Sequence, residues 1–94
     1  MEGTVYTVEF TKEASRFLKK QDVNTVMRIK AKINELARDP FAPNNNVTKL
    51  VDRDGYRLRV GDIRVLYDVF EKVLVVSVFE IGFRGSIYSK GRFK

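Results

Sequence analysis

Large and polar residues alternate from Val5 to Phe10 with the period of two that marks a half-buried strand. The period then lengthens. Thr11 can cap a helix, Glu13 sits in the first turn where the macrodipole favours an acid, and Ala14, Phe17 and Leu18 form an inward stripe that ends at Lys19 and Lys20. Asp22 supplies the next N-cap. Val26, Ile29, Ile33 and Leu36 recur at spacings of three, four and three, which predicts the apolar face of a long helix. Asp39-Pro40 stops it, because the residue before a proline avoids helical geometry. The short join between the two helices predicts an antiparallel hairpin.

Phe41 to Asn46 is rich in Pro and Asn and reads as a loop. Three strands are expected after it. The first lies within Lys49 to Val60 and is firmest over Tyr56–Val60; the second runs from Ile63 to Phe70; Glu71 and Lys72 turn into the third, Val73 to Glu80. Gly61-Asp62 suits a two-residue type II′ hairpin turn. The order β-α-α-β-β-β predicts an α+β fold, with a mostly antiparallel, four-stranded twisted sheet and the N-terminal helical hairpin packed on one face.

Length and composition narrow the chemistry. Ninety-four residues suffice for a single domain over 1–94, whose core is one pair of layers. With 18 Lys and Arg against 12 Asp and Glu, the formal net charge is +6. A small domain with that surplus tends to meet a polyanion, although the charge also serves solubility. Arg84, Lys90, Arg92 and Lys94 crowd the last thirteen residues without an acid, which makes a local field. There is no cysteine and no histidine, so thiolate chemistry, cysteine-bound zinc and the usual general acid–base residue are excluded. Catalysis, if present, falls to Arg, Lys, Tyr or carboxylates. No apolar run approaches the roughly 20 residues of a membrane span, and no secretory pattern opens the chain, so a cytoplasmic location is expected.

Strand alternation sorts the arginines. If Tyr56, Leu58 and Val60 face the helices, Arg57 and Arg59 face the opposite side together. On the next strand Ile63, Val65, Tyr67 and Val69 form the apolar set, and Arg64 points away from it, beside Arg59 across the turn. Arg84 follows the third strand, with Tyr88 four residues later. One such arginine is most simply a solvated residue. Several converging guanidinium groups suit a phosphate, whose oxygens match the fork. Tyr88 fits either that site or a buried aromatic with its hydroxyl at the rim.

The runs Lys49-Leu50, Gly55-Tyr-Arg-Leu-Arg-Val-Gly-Asp-Ile-Arg-Val-Leu-Tyr67 and Glu80-Ile-Gly-Phe-Arg-Gly-Ser-Ile-Tyr88 resemble the second half of the RelE/ParE toxin superfamily. Tyr6-Thr-Val-Glu-Phe-Thr-Lys-Glu-Ala14 and the segment around Asp39-Pro40 resemble its first half. The ending Gly82-Phe-Arg84-(x3)-Tyr88 is more typical of the RNA-cutting, RelE-like branch than of the gyrase-poisoning ParE branch.

The resemblance implies the toxin of a type II toxin–antitoxin pair. Its expected activity is that of a ribosome-dependent endoribonuclease (an mRNA interferase) that cuts mRNA in the A site. No cofactor or metal is expected: the 2′-hydroxyl attacks the neighbouring phosphorus and leaves a 2′,3′-cyclic phosphate. Carried over by position, Arg64 stabilises transition-state charge, Arg84 is the proton donor to the leaving oxygen, and Tyr88 is the base. Arg57, Arg59, Lys49 and Lys90 are expected to bind RNA phosphate. The implied partners are mRNA on the ribosome, with contacts to 16S rRNA, and a cognate acidic antitoxin; no membrane is implied. The sequence departs from the pattern in two places. Arg-x-Arg at Arg57 and Arg59 replaces a frequent Lys-x-Lys, and arginine supplies charge but no proton shuttle. Phe83 and Gly85 stand where relatives often carry His or basic residues; an aromatic there either stacks on a base or packs in the core. The competing expectations are a ParE-like gyrase inhibitor, and a non-catalytic module that binds RNA or an acidic peptide.

Overall fold

The computed structural model describes residues 5–51 and 53–89, and their side chains as far as residue 86. In chain order the elements are β1 (Thr7–Phe10), α1 (Lys12–Lys19), α2 (Val23–Ala37), β2 (Val47–Lys49), β3 (Tyr56–Val60), β4 (Ile63–Phe70), β5 (Val75–Phe83) and α3 (Arg84–Ser89). Among the described residues the strands make one sheet in the order β1-β5-β4-β3-β2. β1 runs parallel to β5, and the remaining neighbours are antiparallel. No described helix is long and apolar enough to cross a membrane.

The helices begin where their caps predict. The Thr11 hydroxyl accepts from the Ala14 N–H at 3.2 Å, and the Asp22 carboxylate accepts from the Thr25 N–H at 3.1 Å, which holds its acid below the ordinary carboxylate range. Ala14 and Leu18 of α1 and Ile29, Ile33 and Leu36 of α2 are buried against Leu58, Val60, Ile63, Val65, Tyr67, Val76, Val78 and Ile81 of the sheet. Burying each of the larger aliphatic side chains contributes about 1.5–3 kcal/mol, so this one interface carries most of the favourable free energy. The opposite sheet face carries the arginines.

Two expectations need correction. The sheet has five strands among the described residues, not four. Val47–Lys49 forms a separate edge strand on β3 through the pairs Val47↔Leu58, Thr48↔Arg57 and Lys49↔Tyr56. Three residues are too few for alternation to stand out; the backbone of β3 makes them a strand. The last strand also starts at Val75 instead of Val73 and runs on to Phe83. Residues 71–74 form the turn, closed by Leu74 at φ 57°, a left-handed conformation that a branched side chain rarely takes. Gly61 at φ 59° with Asp62 outside the left-handed region gives the β3–β4 hairpin the expected type II′ pattern.

A bulge in β5 decides which side chains reach which face. Leu66 pairs with Glu80, but Tyr67 pairs with Val78, so Phe79 has no partner on β4. Without the extra residue, the phase set by Val76 and Val78 would turn Glu80 into the core. With it, Ile81 enters the core and Glu80 joins the arginine face. The Thr11 hydroxyl donates to the Phe79 carbonyl at 3.1 Å, so the α1 cap also satisfies the bulge.

Tyr67 is fully buried, stacks on Tyr56 at 5.5 Å between ring centroids, and its hydroxyl has no hydrogen-bond partner among the described residues. Burial pushes its pKa up, and the neighbouring Tyr56 adds to the rise. Tyr67→Phe keeps the ring and removes the unsatisfied hydroxyl; it should raise stability by about 1 kcal/mol. A lower urea midpoint for that variant, with the m-value unchanged, would show the hydroxyl to be stabilising. Gly55 lies at φ 122°, and a Cβ there would stand 3.1 Å from the Tyr67 carbonyl oxygen and 2.9 Å from Asp68 Oδ1. Gly55→Ala should therefore lose about 1–3 kcal/mol in the same titration.

Candidate functional site

Cross-strand pairing assembles the site. Arg59 and Arg64 are direct partners on β3 and β4, and Arg64 in turn faces Gly82 on β5. Arg57 lies two residues before Arg59 on the same face, paired with Thr48 of β2. Arg84 opens α3 immediately after β5, and its backbone N–H donates to the Asp62 carbonyl of the hairpin turn at 2.8 Å. That bond folds the end of β5 back onto the hairpin. Arg57, Arg59, Arg64 and Arg84 line one cleft of about 330 Å³ together with Asn45, Asn46 and Thr48. Among the described residues no acidic side chain lines it.

Local hydrogen bonds hold these cations against their mutual repulsion. Nε and Nη2 of Arg59 both donate to Asn46 Oδ1, at 3.3 and 2.9 Å, while the Arg59 N–H donates to the Asn46 carbonyl at 2.8 Å. Asn44 orders that segment by accepting from the Asn46 N–H at 2.8 Å, a side-chain mimic of a backbone turn. Arg64 Nη1 donates to the Gly61 carbonyl at 2.8 Å and to the Ile63 carbonyl at 3.1 Å. Each tie uses only part of a five-donor fork, so further donors remain for an anion. Guanidinium groups are effectively always charged, and the cleft is cationic at any physiological pH.

The far end of the same face is built differently. Arg53 reaches across from the β2–β3 loop, and its Nη2 donates to both carboxylate oxygens of Asp68, at 3.1 and 3.0 Å. Its guanidinium carbon stacks 4.1 Å from the centroid of the Phe79 ring. Asp68 thus has its own cation. Between the two ends lie Leu66 and Glu80, each about 1% exposed.

The structure brings together Arg57, Arg59, Arg64 and Arg84 but not every residue assigned to the site from sequence. Lys49 is turned away: its partner on β3 is Tyr56, so alternation sends it off the arginine face, and it borders a separate pocket with Asp54, Gly55, Tyr56, Asp68, Val69 and Phe70. The backbone of Tyr88 belongs to α3, but its side chain lies outside the described residues, as does Lys90. Phe83 is not a cleft residue; it pairs with Ile63 and packs edge to face on Phe17 of α1, with ring centroids 5.5 Å apart. Asn45, Asn46 and Thr48 are cleft residues that the sequence does not single out. The run Asn44-Asn45-Asn46 is visible but carries the signature of an ordinary loop. No group of described carboxylates is arranged to hold a metal ion.

Comparison with known proteins agrees with this geometry. Residues 8–88 match the model of the ParE toxin family of type II toxin–antitoxin systems, parDE. Comparison with curated protein sequences finds no match. Among solved structures, the archaeal RelE–RelB complex from Pyrococcus horikoshii OT3 contains a chain 28% identical to this one, with 87% of this chain and 98% of that chain covered and a TM-score of 0.74. The E. coli toxin RelE, a double-arginine variant bound to a peptide of the antitoxin RelB, is 25% identical over 94% of this chain and 95% of that chain, with a TM-score of 0.71. The YoeB/ParE toxin from Agrobacterium tumefaciens is 22% identical over 82% and 96%, with a TM-score of 0.68, a likeness of fold. A helical hairpin on one sheet face, arginines on the other and a family match across nearly the whole length lead to one conclusion: this chain belongs to the ParE toxin family of type II toxin–antitoxin systems, within the RelE/ParE/YoeB superfamily.

Proposed function

We propose that this toxin is an endoribonuclease that cuts mRNA in the ribosomal A site. The observation that carries the reading is the cleft itself: four arginines from β3, β4 and α3 converge where a polyanion can approach, with no acid among its described lining residues. The 2′-oxygen of the RNA attacks the adjacent phosphorus, the bond to the 5′-oxygen breaks, and a 2′,3′-cyclic phosphate and a 5′-hydroxyl result. Charge grows on the phosphorane oxygens, and preorganised guanidinium donors stabilise it without reorganising. Arg64 meets the phosphorane, Arg84 donates a hydrogen bond to the departing 5′-oxygen, which takes its proton from water, and Arg57 and Arg59 hold the flanking phosphates. Tyr88, four residues after Arg84, takes the 2′-proton, a role in which a phenol needs neighbouring cations to lower the cost of its phenolate. Dependence on the 2′-hydroxyl makes RNA, not DNA, the substrate.

The partner of such a toxin is an acidic antitoxin segment, which neutralises the cleft charge; the RelE chains from P. horikoshii and E. coli are both bound to RelB antitoxins. The site of action is the cytoplasm, where the ribosomes are. The match to the ParE family favours one second reading, a gyrase-directed toxin. That activity needs neither Tyr88 nor a 2′-hydroxyl. Purified toxin that leaves ribosomal mRNA intact but produces gyrase-linked DNA breaks establishes it instead.

Primer extension on mRNA held in translating ribosomes tests the main reading. Wild-type protein should give new 5′ ends at A-site codons, Arg64→Ala should slow cutting by about 10²–10³-fold, and Tyr88→Phe by about 10²–10⁴-fold. Uncut message with wild-type protein would refute it. A binding measurement addresses the phosphate contacts separately. For a single-stranded RNA carrying a 2′-deoxy residue at the cut site, the slope of log affinity against log salt should fall by about 0.7 for each of Arg57→Ala and Arg59→Ala. Lys49→Ala, on the other sheet face, should leave that slope unchanged.

A further inference from the structure

We infer that Glu80 is a positioning residue of the arginine cleft, fixing the Arg57 guanidinium from beneath. The inference rests on the proposed nuclease reading for its consequence, but not for its geometry. Glu80 is 1% exposed, the one charged residue that is buried among the described residues. A carboxylate removed from water is costly unless a cation answers it. The register says which cations are near. Arg57 pairs with Leu66, and Leu66 pairs with Glu80, so the three side chains form one row across β3, β4 and β5 on the same face. The outer two Cα atoms are roughly 10 Å apart, within the combined reach of an arginine and a glutamate leaning over Leu66. Leu66 is 1% exposed on a face that α1 and α2 do not cover, as expected if long side chains close over it.

Several other charges on this face have partners of their own. Asp68 is held by Arg53, Arg59 by Asn46, and Arg64 by the carbonyls of Gly61 and Ile63. Arg57 is the cleft arginine in line with Glu80 and is half-buried, whereas Arg59 and Arg84 are exposed. Neither Arg57 nor Glu80 is without a partner. An acid beneath the cleft does two opposing things. It weakens the positive field that draws RNA in, and it fixes one fork in the orientation that the reacting phosphate needs.

These effects have opposite signs in Glu80→Gln, a variant of nearly the same shape. Affinity for the 2′-deoxy-substituted RNA at 50 mM salt should rise about threefold, while single-turnover cleavage at saturating protein slows by about tenfold or more. Adding Arg57→Ala to Glu80→Gln should cost little further rate, because the two act as a unit. Unchanged binding and cleavage in Glu80→Gln would overturn the inference, and so would a proportionate loss of both, which is what partial unfolding produces. If Glu80→Gln does not fold, thermal midpoints of two exposed-face variants decide. Arg57→Ala should lower the midpoint, because it strands the buried carboxylate. Arg84→Ala should leave it unchanged or raise it, because it relieves repulsion. An Arg57→Ala midpoint at or above wild type would sink the inference. Wild-type protein that fails to cut mRNA refutes the nuclease reading alone; the binding and midpoint measurements still decide the role of Glu80.

Discussion

A sheet that buries one face under two helices must send every second side chain to the other side, and the organisation of this toxin follows from that constraint. Leu58, Val60, Ile63, Val65 and Tyr67 face α1 and α2, so Arg57, Arg59 and Arg64 have no choice of face. Slipping β3 by one residue would bury guanidinium groups and expose leucine and valine together. The hydrophobic core therefore specifies the site as strictly as it specifies the fold, although no core residue touches the cleft.

Crowding like charges is the cost of this arrangement. It is met by neutral acceptors at the rim: the Asn46 amide for Arg59, and turn carbonyls for Arg64. Such partners orient a guanidinium without cancelling its charge, which a carboxylate at the same place would do. The described acids of this face stand outside the lining, Glu9 on β1, Asp68 under Arg53 and Glu80 below the surface. The cleft thus keeps its field toward solvent and, in the role proposed for Glu80, its geometry from below. Transition-state stabilisation requires both, since a mobile cation must be reoriented at the moment of reaction.

Membership of the toxin family and the arginine cleft answer different questions. The family match and the shared fold establish the class of protein. A fold does not choose between mRNA and gyrase, because chemistry resides in the residues grafted on it. Here the cationic groove, followed along the chain by a tyrosine-bearing helix, is the feature on which the proposed RNA cleavage rests. A chain without cysteine or histidine suits a substrate that brings its own nucleophile.

Much of this was legible in the order of residues. Thr11 and Asp22 start the helices they were expected to cap, the Ile29, Ile33 and Leu36 stripe is buried, and the arginine alternation around Gly61-Asp62 predicts which guanidinium groups share a face. Such features are local: periodicity and caps act within one element or one tight hairpin. What sequence left open depends on partners distant along the chain. Val47–Lys49 becomes a strand only because β3 offers its edge, and that register turns Lys49 away from the cleft and Thr48 into it. The Phe79 bulge reverses the phase of β5, so Glu80 lies under the arginines where simple alternation would have put it in the core. Patterns of two and 3.6 residues determine the elements and their buried sides; pairing between separate strands decides the edges, the phase shifts and hence which charges meet.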